Sequence, residues 1–108
     1  MESQTLTALL GDDDAIIQGV LSEFLPLCAI PHPSRHEEAI ARRLADLLSR
    51  RGWTVELDGA WNLRADLPGT PGLENAPLVA IQGHTDMVCA VRRGSGYRPE
   101  ADPVRAVV

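Results

Sequence analysis

The first hydrophobic pattern in the chain has the period of a helix. Apolar residues recur close to every 3.6 positions between residues 16 and 27, which predicts an amphipathic helix. Three aspartates at positions 12–14 precede this pattern and supply carboxylates that favour a helix N-terminus. The ring of Pro26 would clash with a carbonyl of the preceding turn. We therefore expect the helix to cover about residues 13–25 and to kink or end there.

A second helical pattern begins with a capping box. Ser34 and Glu37 have the S-x-x-E spacing in which two reciprocal hydrogen bonds open a helix. Gly52 stands where a left-handed glycine commonly ends one. These signals predict a capped helix from Ser34 to Arg51. Its apolar face is formed by Ile40, Leu44, Leu47 and Leu48, and its polar side carries the pairs Glu38–Arg42 and Asp46–Arg50.

From Trp53 onwards the period changes to two, which is typical of strands. Residues 53–57 and 62–67 alternate in polarity around an Asp58-Gly59 turn, and this predicts a β-hairpin. Residues 78–81 are apolar without alternation, as expected of a central strand covered on both faces, and they predict a strand over 78–82. A helix followed by such strands predicts an α/β fold, in the form of a partial α/β/α sandwich.

The last residues of the sequence form another β-prone run, from Val104 to Val108. Two interpretations are open: a short C-terminal edge strand, or a domain interrupted before its fold is complete, since unpaired apolar strand residues leave an adhesive edge. A length of 108 residues is enough for one small domain and too short for two.

Composition and charge exclude several classes of protein. The net charge is −5 and the basic residues, all arginine, form no cluster, which argues against binding nucleic acid or an anionic membrane surface. The longest apolar stretch, residues 15–30, is interrupted by polar residues and proline, so no membrane span is predicted there. Cys28 and Cys89 cannot build a disulfide framework. Without a basic residue before Arg35 there is no signal-peptide pattern, so a soluble cytoplasmic protein is expected.

His84 and Asp86 are the leading candidates for chemistry. They follow the apolar run 78–81, after Gln82 and Gly83, and ligands in α/β sheets collect at the carboxyl ends of strands. An imidazole there can bind Zn²⁺ while a nearby carboxylate orients the ring. The alternative to a metal-binding role is that His84 is a loop histidine with a structural role. His32 and His36 are four residues apart, but Pro33 separates them, so we expect a turn residue and a helix-entry residue rather than a metal site.

Several motifs in register resemble the aminoacyl-histidine (Xaa-His) dipeptidases, of the zinc aminoacylase and carboxypeptidase superfamily. The resemblance extends from about Ile16 to the end of the chain. It is carried by IPHPS at 30–34 with the following EE at 37–38, by NL at 62–63, PG at 71–72, GHTDMV at 83–88 and DPV at 102–104. Trp61 departs from the family pattern, which has a small residue there.

The resemblance implies a two-zinc hydrolase in which His84 is a metal ligand and Asp86 is the catalytic carboxylate that supports it. The other ligands, the bridging aspartate and the glutamate base lie beyond residue 108 in the family pattern, as does the lid or dimerisation domain. We therefore expect residues 1–108 to be the incomplete N-terminal portion of a metallopeptidase catalytic domain, inactive alone, from an enzyme that hydrolyses small dipeptides of the carnosine type. The alternative is a noncatalytic remnant or partner-binding α/β domain. The sequence does not set the oligomeric state.

Overall fold

The protein is represented by a computed structural model that describes residues 15–107. These residues form two compact units, one of residues 15–31 with 89–107 and the other of residues 32–88. The predicted acidic helix start at positions 12–14 and the final Val108 lie outside the described residues. Within the described part, no helix is both long and apolar enough to cross a bilayer.

The first unit contains helix α1, Ala15–Cys28, so the predicted first helix is confirmed but ends later than expected. Pro26 lies inside its last turn, and the chain leaves the helix two residues further on. The carbonyl of Cys28, which has no partner further along the helix, accepts a hydrogen bond from the Val104 amide at 2.9 Å. Cys28 is buried, and no disulfide joins it to Cys89, although both are described.

The second unit contains helix α2, Glu38–Arg50, which begins four residues later than the capping box predicted. Arg35 has φ +73°, in the left-handed region, so the helix cannot include it. The N-cap residue is Glu37, and no side chain caps it. The Glu37 carboxylate accepts a hydrogen bond from the Arg35 amide at 2.7 Å, whereas the Ser34 hydroxyl bonds elsewhere. The predicted capping box is therefore wrong.

The C-terminal end of α2 agrees with the sequence. Gly52 has φ +85°, and its amide donates to the Ser49 carbonyl at 3.0 Å. The Trp53 amide donates to the Leu48 carbonyl at 3.1 Å, which completes a Schellman motif. On the polar side, the predicted ion pairs Glu38–Arg42 and Asp46–Arg50 are both present.

The predicted hairpin is confirmed as strands β1, Thr54–Leu57, and β2, Leu63–Asp66, which pair antiparallel with Val55 opposite Ala65. Helix α2 packs on both strands. Ile40 and Ala41, on the helix, are the buried apolar residues of this unit among those described. The unit is thus a helix laid on a two-stranded ribbon, which is the α/β part of the predicted fold.

The third predicted strand, residues 78–82, is not formed in the described structure. Leu78 is 91% exposed and Ile81 is 97% exposed, so the expectation of a buried central strand is wrong here. A strand needs a hydrogen-bonded neighbour, and the sheet described contains β1 and β2 and no third member. Residues 104–107 likewise form no strand among those described.

Candidate functional site

The candidate site lies where two stretches distant in sequence run side by side in the second unit. The Met87 amide donates to the His32 carbonyl at 2.9 Å, and Pro33 and Met87 form a single parallel β-bridge. These backbone contacts fix residues 84–87 against the proline-rich connection that precedes α2. Three side chains, those of Ser34, His84 and Asp86, meet at this junction.

The His84 ring is held through its Nδ1 atom, which lies 2.8 Å from the Asp86 carbonyl oxygen and 3.1 Å from the Asp86 carboxylate oxygen Oδ1. A carbonyl oxygen only accepts hydrogen bonds, so Nδ1 carries the proton and donates it. In the neutral ring Nε2 then carries the lone pair. The side chain is 74% exposed, so Nε2 is accessible to a ligand or to solvent.

Asp86 stands between His84 and Ser34. Its Oδ2 atom accepts a hydrogen bond from the Ser34 hydroxyl, and its Oδ1 atom faces Nδ1 of His84. The Ser34 hydrogen bond is the main cause that lowers the pKa of Asp86 below its ordinary value of 3.8, and the imidazole lowers it further. Asp86 is therefore a carboxylate at neutral pH, which is the form that accepts hydrogen bonds from both sides.

This arrangement has the chemistry of a histidine prepared for a metal ion. A ligating imidazole commonly donates its second ring N–H to a carboxylate or carbonyl, which fixes the tautomer and orients the ring. His84 fits that description as one ligand. A catalytic zinc site takes about three protein ligands, and the described part of the chain contains no group of three His, Cys, Asp or Glu side chains placed to hold a metal. The described residues therefore contain no complete metal site, and His84 is a candidate for a single ligand.

The sequence named two of the three residues at this junction and missed the third. His84 and Asp86 contact each other, as their spacing suggested, although no strand leads into them. His32 contributes its backbone carbonyl to the Met87 contact, and neither it nor His36 joins His84 in a three-residue metal cluster within the described chain. Ser34 was assigned to a helix cap. No local signal could place its hydroxyl on Asp86, because the two residues are 52 positions apart.

Comparisons with known proteins identify what the chain resembles. It is 34% identical over 85 residues to the cytosol non-specific dipeptidase of Escherichia coli (strain K12), an alignment that covers 79% of this chain and 18% of that enzyme. The crystal structure of aminoacylhistidine dipeptidase from Vibrio alginolyticus matches with a TM-score of 0.70 and 35% identity, over 77% of this chain and 17% of that one. No family model matches the sequence.

The comparison by sequence and the comparison by structure thus both find dipeptidases, and they cover similar shares of this chain, 79% and 77%. The chain spans less than a fifth of the length of either relative. The structural match, with a TM-score of 0.70 over 77% of this chain, supports the α/β fold class. The motifs indicated a similarity to the dipeptidases of the zinc peptidase superfamily. Both comparisons confirm that similarity, over a stretch that corresponds to a small part of the relatives.

Proposed function

We propose that this chain is a portion of a zinc-dependent aminoacyl-histidine dipeptidase, whose complete form hydrolyses small dipeptides of the carnosine type in the cytoplasm. In this proposal His84 is a metal ligand through Nε2, and Asp86 is the carboxylate that holds the ring. We expect residues 1–108 alone to be inactive, because the described residues contain no group of three side chains that could hold a metal, and the glutamate base lies beyond residue 108 in the family pattern.

The observation that carries the proposal is the contact between Nδ1 of His84 and the Asp86 carbonyl oxygen. Nδ1 donates a hydrogen bond to the Asp86 carbonyl at 2.8 Å, which leaves the accessible Nε2 of the neutral ring with its lone pair. The similarity to two dipeptidases then gives the arrangement a chemical context.

The metal would supply what the side chains cannot. When bound, zinc polarises the peptide carbonyl and lowers the pKa of the attacking water. Among the described residues, this chain would contribute one ligand and its orientation. His84 is placed by the backbone contact of Met87 and oriented by Asp86. No further step of hydrolysis is assigned to residues 1–108.

The test is hydrolysis of β-alanyl-histidine with added Zn²⁺. It compares this chain, a longer form that extends over the remaining length of the relatives, and variants of the longer form. We expect metal-dependent turnover by the longer form and none by the 108-residue chain. His84→Ala should abolish turnover of the longer form. Asp86→Asn should lower it by about 10–100-fold, the usual effect of losing a residue that orients a ligand.

His36→Ala is the matched control, since it removes an exposed imidazole that takes no part in a three-residue cluster of the described chain. It should leave turnover of the longer form unchanged. Turnover by the short chain, or an unimpaired His84→Ala enzyme, would overturn the proposal. A longer form that binds neither zinc nor dipeptide would favour the alternative, a noncatalytic α/β domain.

A further inference from the structure

The hydroxyl of Ser34 is the part of the junction that neither the helix nor the proposed metal ligation uses. It lies just before α2, where a serine commonly caps the helix, yet the N-cap position is occupied by Glu37 and receives no side-chain bond. The hydroxyl instead donates to Oδ2 of Asp86. Ser34 therefore does not cap the helix, and its hydroxyl contacts the carboxylate that lies beside the candidate ligand His84.

We propose that Ser34 is a positioning residue, whose hydroxyl fixes the Asp86 carboxylate so that, together with the Asp86 carbonyl at 2.8 Å, it holds His84 with Nδ1 protonated and Nε2 open to a ligand. The proposal deepens the proposed function and rests on it for the role of His84. Ser34 contacts neither substrate nor metal in this scheme and acts only through Asp86.

The geometry requires a second contact on the carboxylate. Rotation about the bond to an aspartate carboxyl group is broad and nearly two-fold, so a single hydrogen bond leaves the group free to turn. With Oδ1 at 3.1 Å from Nδ1 of His84 and Oδ2 bonded to Ser34, both oxygens are held and the carboxylate plane is defined. Loss of the Ser34 hydroxyl leaves the Oδ2 atom of Asp86 without this hydrogen bond.

The backbone around Asp86 does not depend on this hydroxyl. The Met87 amide is bonded to the His32 carbonyl at 2.9 Å, and the bridge between Pro33 and Met87 joins the same two segments. Removing the hydroxyl should therefore loosen the carboxylate while leaving the two segments in place, which separates a positioning effect from a folding effect.

The experiment measures the tautomer of His84 by ¹⁵N NMR on the 108-residue chain, at about pH 8.5, where an unperturbed imidazole is neutral. The decisive variants are Ser34→Thr and Ser34→Val. Threonine keeps the hydroxyl, and valine has nearly the same shape as threonine but lacks the hydroxyl. We expect Ser34→Thr to retain the Nδ1-protonated form. In Ser34→Val the Asp86 carbonyl still accepts from Nδ1, so we expect a partial change. The ratio of Nε2–H to Nδ1–H tautomer should rise by about threefold, the lower end of what one net hydrogen bond contributes.

Two further variants calibrate the result. Asp86→Ala gives the full effect of losing the carboxylate, and Ser34→Val should reproduce at least half of it. Ser22→Ala removes a hydroxyl that bonds only the Gly19 carbonyl, at 2.8 Å in α1, and should change nothing at His84. The backbone amide resonances of α2, β1 and β2 report whether each variant keeps its fold.

A His84 tautomer that is unchanged in Ser34→Val, or equally changed in Ser34→Thr, overturns the proposal. If neither variant folds, Ser34 is a structural residue and the proposal is wrong. The measurement needs neither metal nor substrate, so it is independent of the hydrolysis assay. An inactive longer form with the expected tautomer shift would reject the proposed function and leave the Ser34–Asp86–His84 linkage standing.

Discussion

At the scale of single residues, Asp58 shows how one short polar side chain builds a turn. Its Oδ1 atom accepts hydrogen bonds from the amides of Ala60 and Asn62 at 2.8 Å, and its Oδ2 atom accepts one from the Asn62 side chain at 2.8 Å. Asp58-Gly59 predicted the turn, but the left-handed residue is Trp61, with φ +65°. The ring of Trp61 lies under the Arg42 guanidinium at 4.9 Å, a contact of the cation–π type that ties the turn to α2.

The Asp58 network predicts a pH dependence. The Asn62 side chain is the main cause that lowers the pKa of Asp58 below 3.8. A carboxyl group whose pKa is lower in the folded state stabilises the fold above its unfolded pKa, and this stabilisation is lost as the pH falls through the folded pKa. Asn62→Ala should therefore move the pKa of Asp58 upward, towards 3.8, as followed by NMR titration. Asn75→Ala, in a separate exposed loop, is the control, and an Asp58 pKa that does not change in Asn62→Ala would contradict this account.

At the scale of elements, those whose partners are close in sequence were predicted, and those that depend on distant partners were not. The end of α2 and the β1–β2 hairpin depend on Gly52, on alternation and on a local turn, all of which are visible in the sequence. The start of α2 was misplaced because Arg35 adopts φ +73° and Ser34 bonds to Asp86. Residues 78–82 have the composition of a buried strand, but the pairing that makes a strand comes from a neighbour, which no local pattern supplies.

The Schellman motif at the end of α2 gives an element-scale prediction. Gly52 has φ +85° and open space around the position of a Cβ atom. The new Cβ in Gly52→Ala therefore contacts nothing, and the variant is destabilised only because alanine must adopt a left-handed backbone conformation. We expect a loss of about 1–2 kcal/mol in the free energy of unfolding, the cost of a left-handed residue that carries a Cβ. Gly59→Ala is the matched control, because its surroundings are equally open and its φ is not positive. Urea unfolding followed by tryptophan fluorescence measures both, and equal losses would contradict the conformational explanation.

At the scale of the whole molecule, few apolar side chains of the described residues are buried. Among the described residues the buried apolar side chains are Cys28, Ile40 and Ala41, whereas the run 78–81 lies open. A chain of this size gains little stability from so small a core. The relatives are more than five times as long as the part that matches. We infer that most of the stability of residues 32–88 rests on the contact of α2 with the hairpin.

That inference predicts a sharp contrast between two isoleucines in the same unit. Ile40 is 2% exposed on the inner side of α2, so Ile40→Ala should lower the free energy of unfolding by about 2–5 kcal/mol, from lost burial and the cavity left behind. Ile81 is 97% exposed, so Ile81→Ala makes the same chemical change where nothing is buried and should shift it by less than about 0.5 kcal/mol. Trp53 and Trp61 both lie in this unit, so tryptophan fluorescence during urea unfolding reports it directly. If Ile81→Ala destabilises the chain as much as Ile40→Ala, the open segment is packed in solution, and the helix-on-hairpin core is not the main source of stability.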